Sequence, residues 1–442
     1  MAEKIPFGQA GKIYPPEFIT GRKGKSGKDL PDKWQASRRI HTLSGVVKEI
    51  TAWGNTSEEA IENLVLKTKE KLAMPGGSLL LSNSSVVGSV ALEWIAQLEK
   101  ESERANPRIK AGTVSGYERT FEKALLPLFG QVRLNELTPA LCQAHINTIA
   151  DNFSEDYARK AATVMKQICY TAMMHNALAT NPMLAVKPPR RILPEVITFT
   201  PAEMAAIRQA LWADGLATFE RNPDDIHAAF QWAVLGEVLI STAMRFGEAL
   251  ACQWGQIGEI DGEPVLDING TMTEYKKNGV RYHERSRVLK KGTVDKPKHR
   301  TVYLAKTAYA ALMLIKPEGA KSTDYIFNNI DRQGNYGTMP YKSTTARSNI
   351  VRRLKKAELD YIQVNPHKFR KTTATVVRDG SGYMETASRL LGHVLKEEQS
   401  VTNRHYIQSR KNICPNVNDI IESYLELCSK IVPLPEIPGF NK

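Results

Sequence analysis

Two breaks rich in proline, glycine and serine decide what this chain can fold into. KPPRRILPE, residues 187–195, places three prolines among nine residues. Proline fixes φ and has no N–H to give, so neither a helix interior nor a central strand runs through such a stretch. PGGSLLLSNSS, residues 75–85, is a second run of turn-forming residues. One continuous core over all 442 residues is therefore excluded, and separate domains are expected. The division read from the sequence is an arm over 1–33, a small module over 34–75, a linker over 76–85, a helical domain over 86–186, a linker over 187–198, a large domain over 199–431 and a tail over 432–442.

Each unit has its own periodicity. WQASRRIHT and GVVKEITAW have strand composition on either side of a turn at Ser44 and Gly45. SEEAIENLVLKTKEKL opens with acids after Ser57 and closes with lysines, the order that complements a helix macrodipole. This module is either a platform for a partner or a structural appendage. In 86–186, Val90, Trp94 and Leu98 share one helical face, and Tyr117, Phe121 and Leu125 another. Pro127, Gly130 and Pro139 punctuate, and EDYARKAATVMKQICYTAMMHNAL reads as a long fourth helix stopped at Asn181 and Pro182. The large unit mixes helices with a few strands. Near its end VNDIIESYLELCSKI, residues 417–431, clusters Ile420, Ile421, Tyr424, Leu425 and Cys428 on a face suited to the chain's own core or to a neighbouring copy.

Charge narrows the partner. Lys and Arg number 60 against 47 Asp and Glu, a net +13 that suits a polyanion such as nucleic acid. The excess is uneven, since residues 271–301 hold ten basic and three acidic side chains. GRKGKSGK, residues 21–28, adds Arg22, Lys23, Lys25 and Lys28 with no acid. Glycines between those charges suit a basic arm lying along phosphates, and equally an ordinary loose terminus. Arg38, Arg39, Arg190, Arg191, Lys290, Lys291 and Lys298 are further candidates for DNA-backbone contact. No apolar run reaches the ~20 residues of a membrane span, and MAEKIPFGQAGK lacks a signal peptide's apolar stretch. A cytoplasmic protein is expected. The five cysteines are scattered and never in CxxC spacing, which fits reduced thiols and neither a disulfide framework nor a zinc site.

Three motifs in the large domain carry chemistry. In ISTAMRFGEALACQW, residues 240–254, Ile240, Met244, Gly247, Ala251 and Trp254 step by 4, 3, 4 and 3, one apolar helical stripe that leaves Arg245 unexplained by core packing. In NPHKFRKTTATVV, residues 365–377, Pro366 starts a helix and His367 and Arg370 share a face near its N-terminus, an anion-binding setting. In LLGHVLKEEQSVTNRHYIQ, residues 390–408, a helix ends near Gly392 and His393, and Tyr406 follows thirteen residues later. Each motif alone is weak, for a surface arginine, an HxxR pair and an exposed tyrosine are all common.

Taken in chain order, the set resembles the tyrosine recombinases, the phage integrase family, over about residues 86–430. TAMRFGEAL is similar to the family's first arginine box, TGxRxxE; NPHKFRKTTAT to its HxLR box; LLGH and the following tyrosine to its third. LKKGTVDKPKHRTVYL, residues 289–304, resembles the strand hairpin that bears the family's lysine. The resemblance implies a multidomain chain: a small α+β N-terminal arm-binding module, an all-α core-binding domain and a mainly α, α+β catalytic domain. It implies site-specific cutting and rejoining of double-stranded DNA at attachment sites in a bacterial cytosol or nucleoid. Integration or excision of a phage or mobile element would follow, by four protomers acting as a homotetramer, with DNA-bending or directionality proteins as possible partners. No cofactor, metal or ATP is implied.

The chemistry explains the residue types. Phosphodiester cleavage builds charge on nonbridging oxygens, which Arg245 and Arg370 are suited to hold in a fixed fork. The resemblance makes Tyr406 the nucleophile, forming a 3'-phosphotyrosyl bond, with His367 as base and His393 as phosphate donor or orienting group. It takes the leaving oxygen's proton from a hairpin lysine, assigned to Lys296 with Lys298 and Lys291 as rivals. The gap from His393 to Tyr406 is about four residues longer than the family's usual one, a change surface loops tolerate, and Tyr383 is the fallback nucleophile. Ala243 stands where the family usually has glycine, and Phe369 where it has leucine. Two other classes compete: a non-catalytic DNA-binding regulator derived from an integrase, and a metal-dependent nuclease, for which Asp267, Glu274 and Lys276 mimic a D…ExK spacing.

Overall fold

The computed structural model describes residues 5, 10–21, 31–41, 47–72, 81–192, 195–277, 280–289, 299–330, 336–393 and 413–437. Two compact units emerge, Met1–Leu193 and Pro194–Lys442, and their border falls in the proline-rich segment.

Among the described residues of the first unit there are two hydrophobic clusters. The smaller lies under an antiparallel sheet in which β3 (Lys33–His41) pairs with β1 (Ala10–Ile13), β2 (Glu17–Ile19) and β4 (Val47–Gly54). Alternation along β3 sends Ala36 and Ile40 inward, where they meet Ala60 and Leu64 of α1 (Ser57–Leu72). Thr56 caps α1, accepting the Glu59 N–H at 3.1 Å. β1 and β2 correct the sequence reading of residues 1–33 as an arm. Strands of three or four residues have too little period to stand out. The basic run with Arg22, Lys23, Lys25 and Lys28 lies outside the described residues, as does the turn at Ser44 and Gly45.

The larger cluster joins α2 (Val87–Ser102), α3 (Ala111–Thr120), α4 (Leu126–Phe129), α5 (Pro139–Asn152) and α6 (Glu155–Met174). Thr138 and Ser154 cap α5 and α6, each accepting a backbone N–H at 3.2 Å. Between α3 and α4, Phe121–Leu125 forms one π-helical turn, and Phe121 and Leu125 are buried. Both linkers prove partly fastened to this unit. Leu81 is buried in its core, and the Lys187 N–H donates to Gln143 Oε1 at 2.8 Å.

The second unit is built round α8 (Ile226–Thr242), buried on nearly all sides. This explains why its sequence shows no polar face. α7 (Pro201–Phe219), α10 (Lys306–Leu314) and α12 (Pro366–Ser381) pack on it. Beside them stands a three-stranded sheet of β5 (Ile257–Ile260), β6 (Glu263–Ile268) and β9 (Arg300–Tyr303). The β5–β6 turn consists of Asp261 and Gly262, both at positive φ (53° and 80°), the two-residue hairpin for which Asp-Gly is suited. β7 (Thr271–Lys277) and β8 (Val280–Ser286) form a separate hairpin on which Tyr275 and Tyr282 stack at 5.3 Å. A two-stranded sheet of β10 (Asn328–Ile330) and β11 (Tyr336–Pro340) precedes α11 (Ser343–Lys356), and α13 (Met384–Leu390) and α14 (Asn418–Ile431) close the unit.

Two expectations about this unit change. The proposed hairpin at 289–304 contributes β9, which pairs with β6 in the register Ile268 to Arg300 and Leu266 to Val302. Residues 290–298, including Lys290, Lys291, Lys296 and Lys298, lie outside the described residues. The tail reading of 432–442 is also too broad, because Ile437 is buried in the core that α14 joins through Ile421, Leu425 and Cys428. α14 thus packs on its own chain. All five cysteines are buried and unpaired by disulfides. Among the described residues no helix is long and apolar enough to cross a membrane.

Candidate active site

The predicted apolar stripe over 240–254 is interrupted, and the interruption makes the site. α8 stops at Thr242, and Ala243 adopts a left-handed conformation (φ 50°, ψ 26°). The chain then restarts as the short α9 (Phe246–Leu250), with Arg245 as its N-cap. Glu248, three residues on, accepts the Arg245 N–H at 2.9 Å and pairs with Arg245 Nη1 at 2.8 Å. Arg245 is therefore no loose surface arginine. Its side chain is 29% exposed, fixed on one side by Glu248 and reaching solvent along part of the other.

Glu248 is 1% exposed and holds a second cation, Arg300 of β9, whose Nη2 lies 2.9 Å from Oε2. Burial pushes the Glu248 carboxyl up, but the charge and hydrogen bond of Arg300 and the hydrogen bonds from Arg245 outweigh it, leaving the pKa at about 2. Sequence reasoning did not single out Arg300 or Glu248. The Arg300-Thr301-Val302 strand and the acid three residues after Arg245 were the available signals.

Arg370 completes the cluster from α12. It is 3% exposed, with Nη1 donating to the Ala243 carbonyl at 2.5 Å and Nη2 to the Leu391 carbonyl at 2.6 Å. Thr373, one turn on, donates to the Ile240 carbonyl at 2.7 Å, so α12 satisfies two carbonyls at the end of α8. Burial, then the charges of Arg245 and Arg300, push the Arg370 guanidinium down to about 9, with Glu248 opposing. Three guanidiniums around one carboxylate leave two positive charges in excess. An arriving anion relieves that repulsion.

The LLGH turn closes the cluster. Gly392 sits at φ 65°, its N–H donating to the Arg389 carbonyl and that of His393 to the Ser388 carbonyl, both at 2.9 Å. This is a Schellman ending, which the glycine makes possible. Arg300 Nε donates to the Leu390 carbonyl at 3.1 Å. Two of the three arginines thus hold the end of α13.

The remaining predicted residues divide. His367 lies one turn before Arg370 on α12, its N–H held by the Asn365 side chain at 3.0 Å. Whereas Arg370 is buried, His367 is exposed, so the face they were expected to share runs from core to surface. His393 is likewise exposed, just past the turn. Lys296 and Tyr406 fall outside the described residues; Tyr383 is described and exposed before α13. Of the candidate DNA contacts, Arg38 is half-buried on the face of β3 that carries Ala36 and Ile40, and donates through Nε to the Gly11 carbonyl at 3.0 Å. Arg39, Arg190 and Arg191 are exposed. The D…ExK carboxylates have separate partners, Asp267 accepting from Asn269 at 2.8 Å and Glu274 from the Ser343 N–H at 3.0 Å. Among the described residues no group of three or more His, Cys, Asp or Glu is placed to hold a metal ion.

Against known proteins, residues 102–150 match the family model of the phage integrase N-terminal SAM-like domain. A point variant of residues 82–397 of the Tn1549 transposon integrase, solved in complex with transposon right-end DNA, superposes with a TM-score of 0.51 at 14% identity, covering 77% of this chain and 98% of that fragment. The same integrase with circular intermediate DNA gives 0.50 at 14% identity, over 73% and 97%. The resemblance to the tyrosine recombinases holds. A lambda integrase dimer bound to a COC' core site aligns at 15% identity with a TM-score of 0.46, covering 89% of this chain and 98% of that one. No curated protein matches the chain. At these identities the likeness to tyrosine recombinases is one of fold, and the α8–α9 junction, α12 and the α13 turn are where that fold gathers its arginines here.

Proposed function

We propose that the chain is a site-specific DNA recombinase that cuts and rejoins DNA through a covalent 3'-phosphotyrosyl intermediate. The observation that carries this reading is the convergence of Arg245 and Arg370, 125 positions apart, on the α8–α9 junction, where Arg245 pairs with buried Glu248 and Arg370 donates to the Ala243 carbonyl. Arg245 offers its open edge to a nonbridging oxygen. Arg370 commits two of a guanidinium's five N–H donors to carbonyls, which fixes its plane and leaves the others for the phosphate. Both charges are preorganised, so little reorientation is needed as the five-coordinate phosphorus forms.

Tyr406 attacks, and His367 at the positive end of α12 takes its proton. A phenol with an ordinary pKa near 10 needs that base and the cationic surroundings to act at neutral pH. His393, set by the Schellman turn, donates to the phosphate, and Lys296 protonates the leaving oxygen. The basic run at 21–28 and the exposed Arg39, Arg190 and Arg191 hold the duplex, alongside Lys290, Lys291 and Lys298. Recombination assembles four protomers on two attachment sites of a phage or other mobile element.

A nicked suicide substrate cut from DNA flanking the gene tests the reading. A covalent protein–DNA adduct should form in EDTA and be absent from Tyr406→Phe, which still binds. Adduct in that variant moves the nucleophile elsewhere, with Tyr383 next. Tight binding without any wild-type adduct favours the regulator, and loss of cleavage on chelation favours the nuclease.

A further inference from the structure

We propose that Arg300 is a positioning residue for strand cleavage, holding Arg245 and the turn before His393 in register with each other. The inference rests on the recombinase reading above and adds a residue to it. Arg300 is 6% exposed, and its Nε and Nη2 are both spent on partners within the chain. Its side chain joins two parts of the site that share no element. Nη2 holds Glu248, the partner of Arg245, and Nε holds the Leu390 carbonyl at the end of α13. A Cβ on Gly392 would stand 3.1 Å from Arg300 Cδ and 3.2 Å from Nη1, so the guanidinium lies directly against the left-handed residue of the LLGH turn.

The backbone beside it fixes a third part. Arg300 opens β9 opposite Ile268, and the next residue, Thr301, bridges Ile413 while its carbonyl accepts the Cys414 N–H at 2.8 Å. The described residues on either side of 394–412 therefore both stand by this strand, the turn before His393 against Arg300 and Ile413 beside Thr301. A planar fork bridging a carboxylate and a carbonyl sets distance and angle together. A lysine ammonium keeps the charge and loses that geometry. A displacement of about 1 Å at such a site costs on the order of 100-fold in rate without a matching loss of binding.

The test measures single-turnover adduct formation on the suicide substrate, the Kd for the same DNA, and Tm, in wild type, Arg300→Lys, Arg300→Gln and Arg300→Gln/Glu248→Gln. Arg300→Lys should keep its Kd within about 3-fold and lose on the order of 100-fold in adduct rate, at a temperature where it is folded. The double variant removes the carboxylate that Arg300→Gln would leave short of a partner, so it supplies a folded protein if Arg300→Gln alone is insoluble. It should show the same rate deficit. An adduct rate within a few-fold of wild type in folded Arg300→Lys and the double variant overturns the proposal. So do a rate and a Kd that decline together in step with Tm, which is what a merely structural ion pair predicts. Absence of adduct from wild type itself indicts the recombinase reading instead.

Discussion

Arg370 donates to the carbonyl of Ala243, a residue held in the left-handed region at the end of α8. The bond explains why the chain turns there. α8 must stop for Arg245 to leave its axis, and the carbonyl freed by the stop receives a guanidinium from α12. A Cβ is disfavoured at that φ by roughly 1–2 kcal/mol, which accounts for the glycine the family usually has. Ala243→Gly should accordingly be neutral or stabilising by up to about 1 kcal/mol, although the same change in a right-handed helix interior costs about 1 kcal/mol. Ala243→Val, β-branched and buried, should lose more than about 2 kcal/mol. Urea unfolding of the pair gives the sign.

Glu248 makes the fold sensitive to acid. Its folded pKa of about 2 lies below the ordinary 4.5, so its contribution is complete above about pH 5 and disappears as pH falls towards 2. The depression is worth about 3 kcal/mol. Glu248→Gln should be less stable than wild type by about 3–5 kcal/mol at pH 7, because Arg245 and buried Arg300 lose their shared anion. The gap should narrow steadily between pH 5 and 2.5. Parallel stability curves for the two proteins over that range would show that Glu248 is not the titrating group.

How much of this was legible in the sequence depended on what each residue needs. Arg245, His367, Arg370 and the LLGH turn stand in short motifs, and the cap at Asn365 and the glycine at 392 are local signals. Thr138, Ser154 and the helices they start were equally open to reading. Arg300 was not, because its partners lie 52 and 90 residues away, and only the β6–β9 register brings them close. The stripe over 240–254 misled for a related reason. Ile240, Met244, Ala251 and Trp254 are all buried, yet Ile240 belongs to α8, Met244 and Ala251 flank α9 and Trp254 opens a 3-10 turn, so helical spacing survived where the helix did not.

Excess positive charge should make the cluster bind small anions even without DNA. Orthovanadate or sulfate should raise the Tm of wild type, reaching about 2.7 kcal/mol of stabilisation at one hundred times the dissociation constant. Arg245→Ala should lose most of that gain, because Arg245 carries the solvent-facing donors, while Glu248 remains paired with Arg300. Calorimetric scans in sulfate against chloride at equal ionic strength separate binding from screening. Equal shifts in both proteins would place the anion elsewhere.

The C-terminal helix hangs on a second buried ion pair. Arg208 of α7 holds Glu237 of α8 through Nε at 2.9 Å and reaches α14 through Nη1, donating to the Leu425 carbonyl and Ser429 Oγ, each at 3.1 Å. Trp212 Nε1 donates to the same Glu237 oxygen at 2.9 Å. Arg208→Met should therefore do two things: strand the Glu237 charge in the core, costing about 3–5 kcal/mol, and release the last turns of α14. Pairing it with Glu237→Leu should recover most of the global stability, since the buried charge is gone, but not the tie to Leu425 and Ser429. Hydrogen exchange resolves the two effects: in the folded double variant the amides of 425–431 should exchange faster while those of α8 stay protected. Uniform protection across both helices would mean that apolar packing by Ile421, Leu425 and Cys428 is enough to hold α14 in place.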